Sequence, residues 1–316
     1  MMIEPLTVTA PDGASLAYEI LGSQWIGRAL PIVLIGGMTS LRGDWERLAN
    51  PLAAHRPVLI YDHRGMGDST YSTPERNDEI TVESLARDLL TILTSLRWQE
   101  LALCGFSMGG VVAQQLLFLQ YHPTNPVSLP FRVTHVILSG TLCATIWSHG
   151  ALRLQNLSEV SVPSRPLTLE EKKARVQPVL DSTFDPEWLA DPANKDRREF
   201  LLNSMLSGRP GRTLSKQGLA LRNFNFRGLH ERLPRSIEFL ILHGEKDAIV
   251  PISCGQELLQ RIPWARSVQV GDRPGEVPSL GFGHQWFEYF DPEVWVGVVE
   301  TFLDAKSPTT PPWSRL

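Results

Sequence analysis

The chain is poor in cysteine, has no excess of positive charge and lacks long hydrophobic runs. Its 316 residues include only three cysteines, Cys104, Cys143 and Cys254, which are far apart and form no CxxC pair. We therefore expect no disulfide framework, and we expect a reducing, intracellular compartment. The net charge of −4 argues against a protein that binds nucleic acid. No apolar run has the length of a membrane-spanning helix, and the N-terminal residues do not resemble a secretion signal.

The C-terminal sequence is Ser314-Arg315-Leu316, which follows a proline-rich segment. This ending is a conservative variant of the Ser-Lys-Leu tripeptide that is read as a peroxisomal address. If the source is eukaryotic, we expect a peroxisomal protein with the peroxisomal import receptor as a partner. Otherwise we expect a cytoplasmic protein, because a three-residue ending has no such meaning in a bacterium.

Strand and helix patterns alternate along most of the chain. Continuous apolar runs, typical of strands buried on both faces, occupy residues 31–35 and 58–61, and further strands are predicted at residues 101–106, 133–138 and 237–242. A hairpin pattern precedes them at residues 6–21, and a further strand pattern follows at residues 267–270. Helical spacing lies between the strands, at residues 44–54, 82–96, 109–121, 254–262 and 286–303. This alternation predicts an α/β protein with a mostly parallel sheet and helices on both faces.

The alternation stops between Thr141 and Arg227, where helical, arginine-rich sequence is interrupted by prolines. We therefore predict an α/β core formed by residues 1–140 and 228–316, and a helical cap, or lid, formed by residues 141–227. An insertion after one strand is expected to cover the carboxyl ends of the strands, where open α/β sheets bind ligands.

The sequence Gly105-Phe106-Ser107-Met108-Gly109 directly follows a predicted strand and begins a predicted helix. A sharp turn at this point places the serine in strained backbone, and the flanking glycines avoid side-chain clashes. The N-terminus of the helix favours negative charge that develops beside the serine oxygen. Ser107 is therefore the candidate nucleophile, and a serine in an ordinary strand-to-helix turn is the alternative.

A serine nucleophile needs a base, and the base needs an acid that orients it. His284 lies in a glycine-rich loop before the final helix, from which it can reach the carboxyl edge of the sheet. His149, in the predicted cap, is the alternative base. Asp247 follows the strand at residues 237–242 and is the candidate acid, with Glu245 as its competitor.

The oxyanion that forms during acyl transfer needs two N–H donors. The first is expected to be the amide of Met108, directly after the nucleophile. The second is expected from the loop after residues 31–35, where Gly36 and Gly37 let the backbone approach a substrate. We predict the amide of Met38 as this donor, and a plain glycine turn is the alternative.

Taken together, these residues resemble the α/β-hydrolase fold superfamily over nearly the whole chain. The order of nucleophile, acid and base is that of the family. Residues 62–69, Asp-His-Arg-Gly-Met-Gly-Asp-Ser, are similar to the family's turn after the fourth strand, which is structural. The resemblance implies a mostly parallel eight-stranded sheet with a helical cap. Gly36-Gly37 differs from the His-Gly of many members. The family's histidine is not catalytic, so this departure affects which residue is the oxyanion donor and not the reaction that is expected.

The resemblance also implies a serine hydrolase that needs no cofactor. The elbow Gly-Phe-Ser-Met-Gly-Gly is similar to those of enol-lactonases, acyl-lactone lactonases, small esterases and cofactor-free perhydrolases. The serine argues against the epoxide hydrolase and haloalkane dehalogenase branches, which use aspartate. Metal catalysis is not expected, because the eight histidines are scattered without metal-ligand spacing.

We therefore predict cleavage of a carboxylic ester or lactone of a small-to-medium hydrophobic substrate through an acyl-enzyme on Ser107. The substrate pocket is expected to include Gly37, Phe106, Cys143 and Trp147. An acyltransferase or thioesterase with the same triad is one alternative, and a non-catalytic ligand-binding protein of the same fold is another. The sequence does not determine the oligomeric state.

Overall fold

The computed structural model describes residues 4–75, 77–145, 165 and 167–304. Its main sheet consists of β1 (Leu6–Thr9), β2 (Ser15–Leu21), β3 (Ile32–Ile35), β4 (Val58–Tyr61), β5 (Glu100–Phe106), β6 (Arg132–Ser139), β7 (Glu238–Leu242) and β8 (Arg266–Ser267). The strand order is β1-β2-β4-β3-β5-β6-β7-β8. β2 runs antiparallel to β1 and β4, and the other neighbouring strands are parallel. The predicted mostly parallel, eight-stranded sheet is confirmed.

Helices cover both faces of this sheet. The described residues form α1 (Glu46–Leu52), α2 (Val82–Leu96), α3 (Met108–Phe118), α4 (Leu169–Asp181), α5 (Pro186–Ala190), α6 (Lys195–Ser204), α7 (Gly211–Ala220), α8 (Ile252–Arg261) and α9 (Pro292–Asp304), of which α4 to α7 lie in the segment between β6 and β7. Val33 and Ile35 of β3 pack into one core cluster with α2, α3 and α8. Ile32 and Leu34 pack into a second cluster with α1 and α9. This two-sided burial explains the continuous apolar run of β3.

The start of α2 follows from its capping residues. The Thr81 hydroxyl accepts a hydrogen bond from the Ser84 amide at 3.0 Å, and the Ser84 hydroxyl accepts one from the Thr81 amide at 2.9 Å. This reciprocal pair satisfies two amides that would otherwise lack partners at a helix N-terminus. The helix therefore begins at Val82, where the helical spacing of the sequence also begins.

The strand predicted at residues 267–270 is divided in the structure. Its first residue belongs to β8, whereas β9 (Gln269–Val270) pairs with β10 (Glu276–Val277) in a separate two-stranded sheet. Val268 lies between the two strands, and its amide donates a hydrogen bond to the carbonyl of Ile241 in β7 at 3.1 Å. The chain leaves the edge of the main sheet after this bond, so the single predicted strand is wrong.

The predicted helix from Trp286 to Leu303 is wrong in its first part. A short 3-10 turn contains Trp286, Phe290 has a φ of +62°, and α9 begins at Pro292. The positive φ breaks the helical path, and a proline is well suited to the first position of a new helix. Trp286 matches the apolar pattern because its indole packs against Trp295, with 4.7 Å between ring centroids.

The segment between β6 and β7 contains α4, α5, α6 and α7 in its described part. Residues 146–164, which include Trp147 and His149, lie outside the described residues. The tripeptide Ser314-Arg315-Leu316 also lies outside them. Within residues 4–304 as described, no helix combines the length and the apolar character needed to cross a membrane.

Candidate active site

Ser107 lies in the sharp turn between β5 and α3. Its φ of +54° and ψ of −121° are values that side-chain-bearing residues rarely adopt. A Cβ atom on Gly109 would lie 1.9 Å from the Ile35 carbonyl oxygen, and one on Gly105 would lie 2.6 Å from the Cα of Gly110. Only glycine fits at these two positions, because the turn brings α3 close to the ends of β3 and β5. The positive φ of Ser107 is the strained backbone that the motif predicts.

The imidazole of His284 connects Ser107 to Asp247. Its Nε2 lies 3.0 Å from Ser107 Oγ, and its Nδ1 lies 2.8 Å from Asp247 Oδ2. All three residues are less than a tenth exposed. A carboxylate can only accept, so Nδ1 carries the proton and Nε2 is left to accept the serine proton. The arrangement can therefore remove a proton from Ser107 and stabilise the imidazolium that results.

Asp247 is held by the backbone that follows it. Its Oδ1 accepts hydrogen bonds from the amides of Ile249 at 2.9 Å and Val250 at 2.8 Å, which leaves Oδ2 for the imidazole of His284. Glu245, the competitor from the sequence, is exposed to solvent and does not approach His284 within hydrogen-bonding distance. The loop after β7 therefore presents Asp247 to the base.

A second histidine, His243, lies beside Asp247 but does not compete with His284. Its Nε2 is 3.6 Å from Asp247 Oδ2, and it donates a shorter bond of 2.8 Å to the Val250 carbonyl. Burial lowers the pKa of His243 below its ordinary value, because a charged imidazole is poorly solvated there. A neutral His243 therefore supports the turn that carries Asp247.

The loop after β3 brings Met38 to the nucleophile. The backbone of Gly37 is so close that a Cβ there would lie 3.0 Å from Ser107 Cβ. Among the described residues, neither the Met38 amide nor the Met108 amide donates a hydrogen bond to another residue. Thr39 follows with a φ of +72°, which is strained for a β-branched residue. Both N–H groups are therefore unused among the described residues, as the donors of an oxyanion site have to be.

His63 supports the loop after β3 through a contact that the sequence analysis did not predict. The buried imidazole donates from Nε2 to the Gly36 carbonyl at 2.9 Å. Burial lowers the pKa of His63, so the ring is neutral and serves as a plain hydrogen-bond donor. The position of His63 beside the Asp-x-Arg-Gly turn gave no sequence signal for a contact 27 residues away.

A cavity of about 400 Å³ opens onto Ser107 and His284. Its lining contains both apolar and polar residues. The apolar residues include Met38, Trp45, Phe106, Leu201, Met205 and Phe287. The polar residues include Thr39, Ser40, Asp44, Ser204 and Arg209. Phe106, which the sequence analysis expects in the pocket, and Met38, which it expects as an oxyanion donor, both line this cavity.

Two other predicted pocket residues do not line this cavity. Cys143 is 1% exposed and belongs to the core cluster on the α3 side of the sheet, where its carbonyl accepts a bond from the Phe226 amide. Gly37 packs against Ser107 and Phe106 rather than facing the cavity. These two predictions are wrong because both residues are covered by their neighbours, and Trp147 lies outside the described residues.

The described residues contain no group of three or more histidine, cysteine, aspartate or glutamate side chains that could hold a metal ion. Burial raises the pKa of Cys104, Cys143 and Cys254 above the ordinary value, which leaves the three thiols protonated at neutral pH. Three ionisable residues line the cavity, namely His284, Asp44 and Arg209, and Asp247 bonds to His284.

A family model described as the alpha/beta hydrolase fold matches residues 31–273. The chain belongs to this family. A relative named carbamate hydrolase RutD, from Cronobacter turicensis, is 25% identical over 242 residues, which are 74% of this chain and 80% of the relative. An esterase structure from Exiguobacterium antarcticum has a TM-score of 0.72 at 19% identity and covers 95% of this chain and 99% of its own. An enol-lactonase structure from Burkholderia xenovorans has a TM-score of 0.66 at 20% identity and covers 94% and 99%.

Proposed function

We propose that this protein is a serine hydrolase that cleaves a carboxylic ester or lactone through an acyl-enzyme on Ser107. The observation that carries the proposal is the continuous path from Ser107 Oγ through His284 to Asp247, with distances of 3.0 and 2.8 Å. A non-catalytic protein of this fold would have no need for a strained serine aligned with a base and an acid.

In the first step, Ser107 attacks the substrate carbonyl while His284 Nε2 takes the hydroxyl proton. The Met38 and Met108 amides donate hydrogen bonds to the oxyanion, and Asp247 stabilises the charged imidazole. His284 then gives its proton to the leaving alcohol, which departs and leaves an acyl-serine. A water molecule, activated by His284, releases the acid and restores Ser107. Each oxyanion donor of this type contributes about 3–4 kcal/mol to transition-state stabilisation.

The cavity supports a small-to-medium hydrophobic acyl group. Its apolar lining includes Trp45, Phe106 and Phe287, together with Leu201 of α6 and Met205, which directly follows α6. We propose that residues 141–227 act as the cap over a core of residues 1–140 and 228–316, because α4 and α6 supply one wall of the cavity. No cofactor is needed for this chemistry.

The proposal is tested with p-nitrophenyl esters from acetate to decanoate, with δ-lactones and with an aryl carbamate. The carbamate is included because a relative is named a carbamate hydrolase and because a carbamate presents the same kind of carbonyl. We expect turnover of esters or lactones, a preferred acyl length, and a loss of at least about 1000-fold in Ser107→Ala. Ser95→Ala is the matched control, because its hydroxyl bonds only to Ile92 of its own helix.

Labelling by a fluorophosphonate separates the remaining candidates. Labelling of the wild type but not of Ser107→Ala, without hydrolysis of any carbonyl substrate, would indicate an acyltransferase or thioesterase with an untested acyl group or acceptor. Neither labelling nor turnover would contradict the catalytic proposal and favour a ligand-binding protein of the same fold.

A further inference from the structure

Thr39 is the neighbour of Met38, whose amide is proposed to donate to the oxyanion. It follows Met38 directly and has a φ of +72°, although its side chain is branched at Cβ. A β-branched residue keeps such a conformation only when its surroundings hold it there. The two polar groups of its own backbone are held by side chains 170 and 178 positions further along the chain.

Arg209 holds the carbonyl of Thr39. Its Nε donates to that oxygen at 2.8 Å, and its Nη2 contacts both carboxylate oxygens of Asp44 at 2.6 and 2.7 Å. Its Nη1 donates to the carbonyls of Ser204 and Ser207. All five N–H groups of the guanidinium are used, and the side chain is 4% exposed. Although Arg209 borders the cavity, it therefore has no donor left for a substrate.

Gln217, in α7, holds the amide of Thr39. Its Oε1 accepts a hydrogen bond from that amide at 3.3 Å, and the residue is completely buried. Its Nε2 is also buried and has no hydrogen-bond partner among the described residues. A buried donor without a partner reduces the stability of the fold, so the presence of a glutamine at this position needs a reason other than stability. The acceptor contact with Thr39 supplies one.

We propose that Arg209 and Gln217 are positioning residues that hold Thr39 in its strained conformation and so direct the Met38 amide toward the oxyanion. This inference rests on the proposed serine hydrolase function. Both residues come from the segment between β6 and β7, whereas Met38 follows β3. The segment that forms one wall of the cavity thus also completes the catalytic site. Neither residue touches the reacting atoms, and both act through Thr39.

The main test is Gln217→Met, which keeps the length of the side chain but removes both its acceptor and its unmatched donor. We expect kcat to fall at least about tenfold, short of the 100- to 1000-fold loss that follows removal of an oxyanion donor. KM should stay within about threefold, because ground-state binding does not use the Met38 amide. The melting temperature should not fall by more than about 4 °C, because an unsatisfied buried group is removed with the contact.

Arg212→Gln is the matched control. Arg212 lies on the same helix and also connects it to the core, through the Glu75 carbonyl and Asn77 Oδ1 at 3.2 and 3.1 Å, but it does not contact Thr39. Its kcat should equal that of the wild type. Arg209→Lys is the second variant, because a lysine keeps the charge opposite Asp44 but lacks the planar fork that also reaches Thr39. It should lower kcat in the same way if Gln217→Met does not fold.

The readout specific to positioning is inhibition by an alkyl trifluoromethyl ketone, whose adduct with the serine carries an oxyanion. In Gln217→Met its inhibition constant should rise by the same factor as kcat/KM falls, while binding of the product acid is unchanged. An unchanged kcat, or equal weakening of ketone and product acid, would overturn the inference. These outcomes presuppose an active wild type, whereas a wild type without turnover or labelling would contradict the proposed function itself.

Discussion

Asp247 Oδ2 lies 2.8 Å from His284 Nδ1, while Glu245, two residues earlier in the same loop, points to solvent. The side chain of Asp247 is 1% exposed, and its other oxygen is occupied by two backbone amides. The carboxylate can therefore neither rotate away nor be replaced by the nearby glutamate. This geometry fixes the tautomer of His284 in which Nε2 is free to accept the serine proton.

We expect Asp247→Asn to lower kcat by about 10⁴-fold, because the amide group of asparagine would face Nδ1 and favour the opposite tautomer. The hydrogen bonds from Ile249 and Val250 can be kept by the asparagine oxygen, so the fold should survive. Glu245→Gln is the control and should stay within about twofold of the wild type, as exposed substitutions usually do. Ester hydrolysis at saturating substrate measures both, and a loss below tenfold in Asp247→Asn would contradict the assigned acid.

His230 should make stability depend on pH. The residue is 1% exposed and bonds through Nε2 to Gln114 Oε1 at 2.9 Å. Burial, helped by the charge of Arg261, lowers the pKa of His230 from 6.5 to about 4. Between these values the unfolded chain binds a proton that the folded chain does not. The contribution of His230 to the free energy of unfolding should therefore be fully present above pH 6.5. About 3 kcal/mol of stability should be lost as the pH decreases to 4.

The contribution of His230 is isolated by His230→Gln, whose amide can still donate to Gln114. Urea unfolding at pH 7 and pH 4.5 should show a smaller loss of stability in this variant than in the wild type. Buried His63, His135 and His243 also have lowered pKa values and leave part of the dependence in place. His55→Gln changes an exposed imidazole and serves as the control. Equal pH dependence in wild type and His230→Gln would refute this role.

Much of the fold could be predicted because its signals are local. Apolar runs such as that of β3 identify strands buried on two faces, and the helical spacing of apolar residues at 82–96 identifies α2. The elbow around Ser107 was also readable, since the serine and its two flanking glycines form one five-residue motif between a strand and a helix. The acid loop after residues 237–242 was readable in the same way, with Asp247 as the candidate acid and Glu245 as its competitor.

The remaining features depend on contacts between distant parts of the chain. Cys143 and Gly37 were expected in the pocket, but neighbours that the sequence order does not reveal cover both residues. Trp286 fits a helical pattern because its burial is set by Trp295, not by helical geometry. The contact of Arg209 with Thr39 joins residues 170 positions apart, and no local motif predicts it.

The close approach of α3 to β3 predicts that Gly109→Ala does not yield a native enzyme. The added Cβ would lie 1.9 Å from the Ile35 carbonyl oxygen, which belongs to the sheet and cannot move aside. We expect a loss of at least about 3 kcal/mol in the free energy of unfolding, at the upper end of overpacking effects. Gly43→Ala is the control, because its Cβ would meet nothing within 4 Å. Urea unfolding of the two variants checks this, and similar stabilities would show that α3 can shift away from β3.

The wall of the cavity that α6 provides predicts how acyl-chain preference can be changed. Leu201 lines the cavity, whereas its neighbour Phe200 is 49% exposed on the same helix and does not line it. A tryptophan at position 201 should fill the apolar end, so Leu201→Trp should lower kcat/KM for the decanoate ester at least about tenfold relative to the butyrate ester. Phe200→Trp adds the same indole outside the cavity and should leave that ratio unchanged. If this ratio changed equally in both variants, the acyl chain would not lie beside Leu201. An effect that depends on filling the cavity can arise only at the position that lines it.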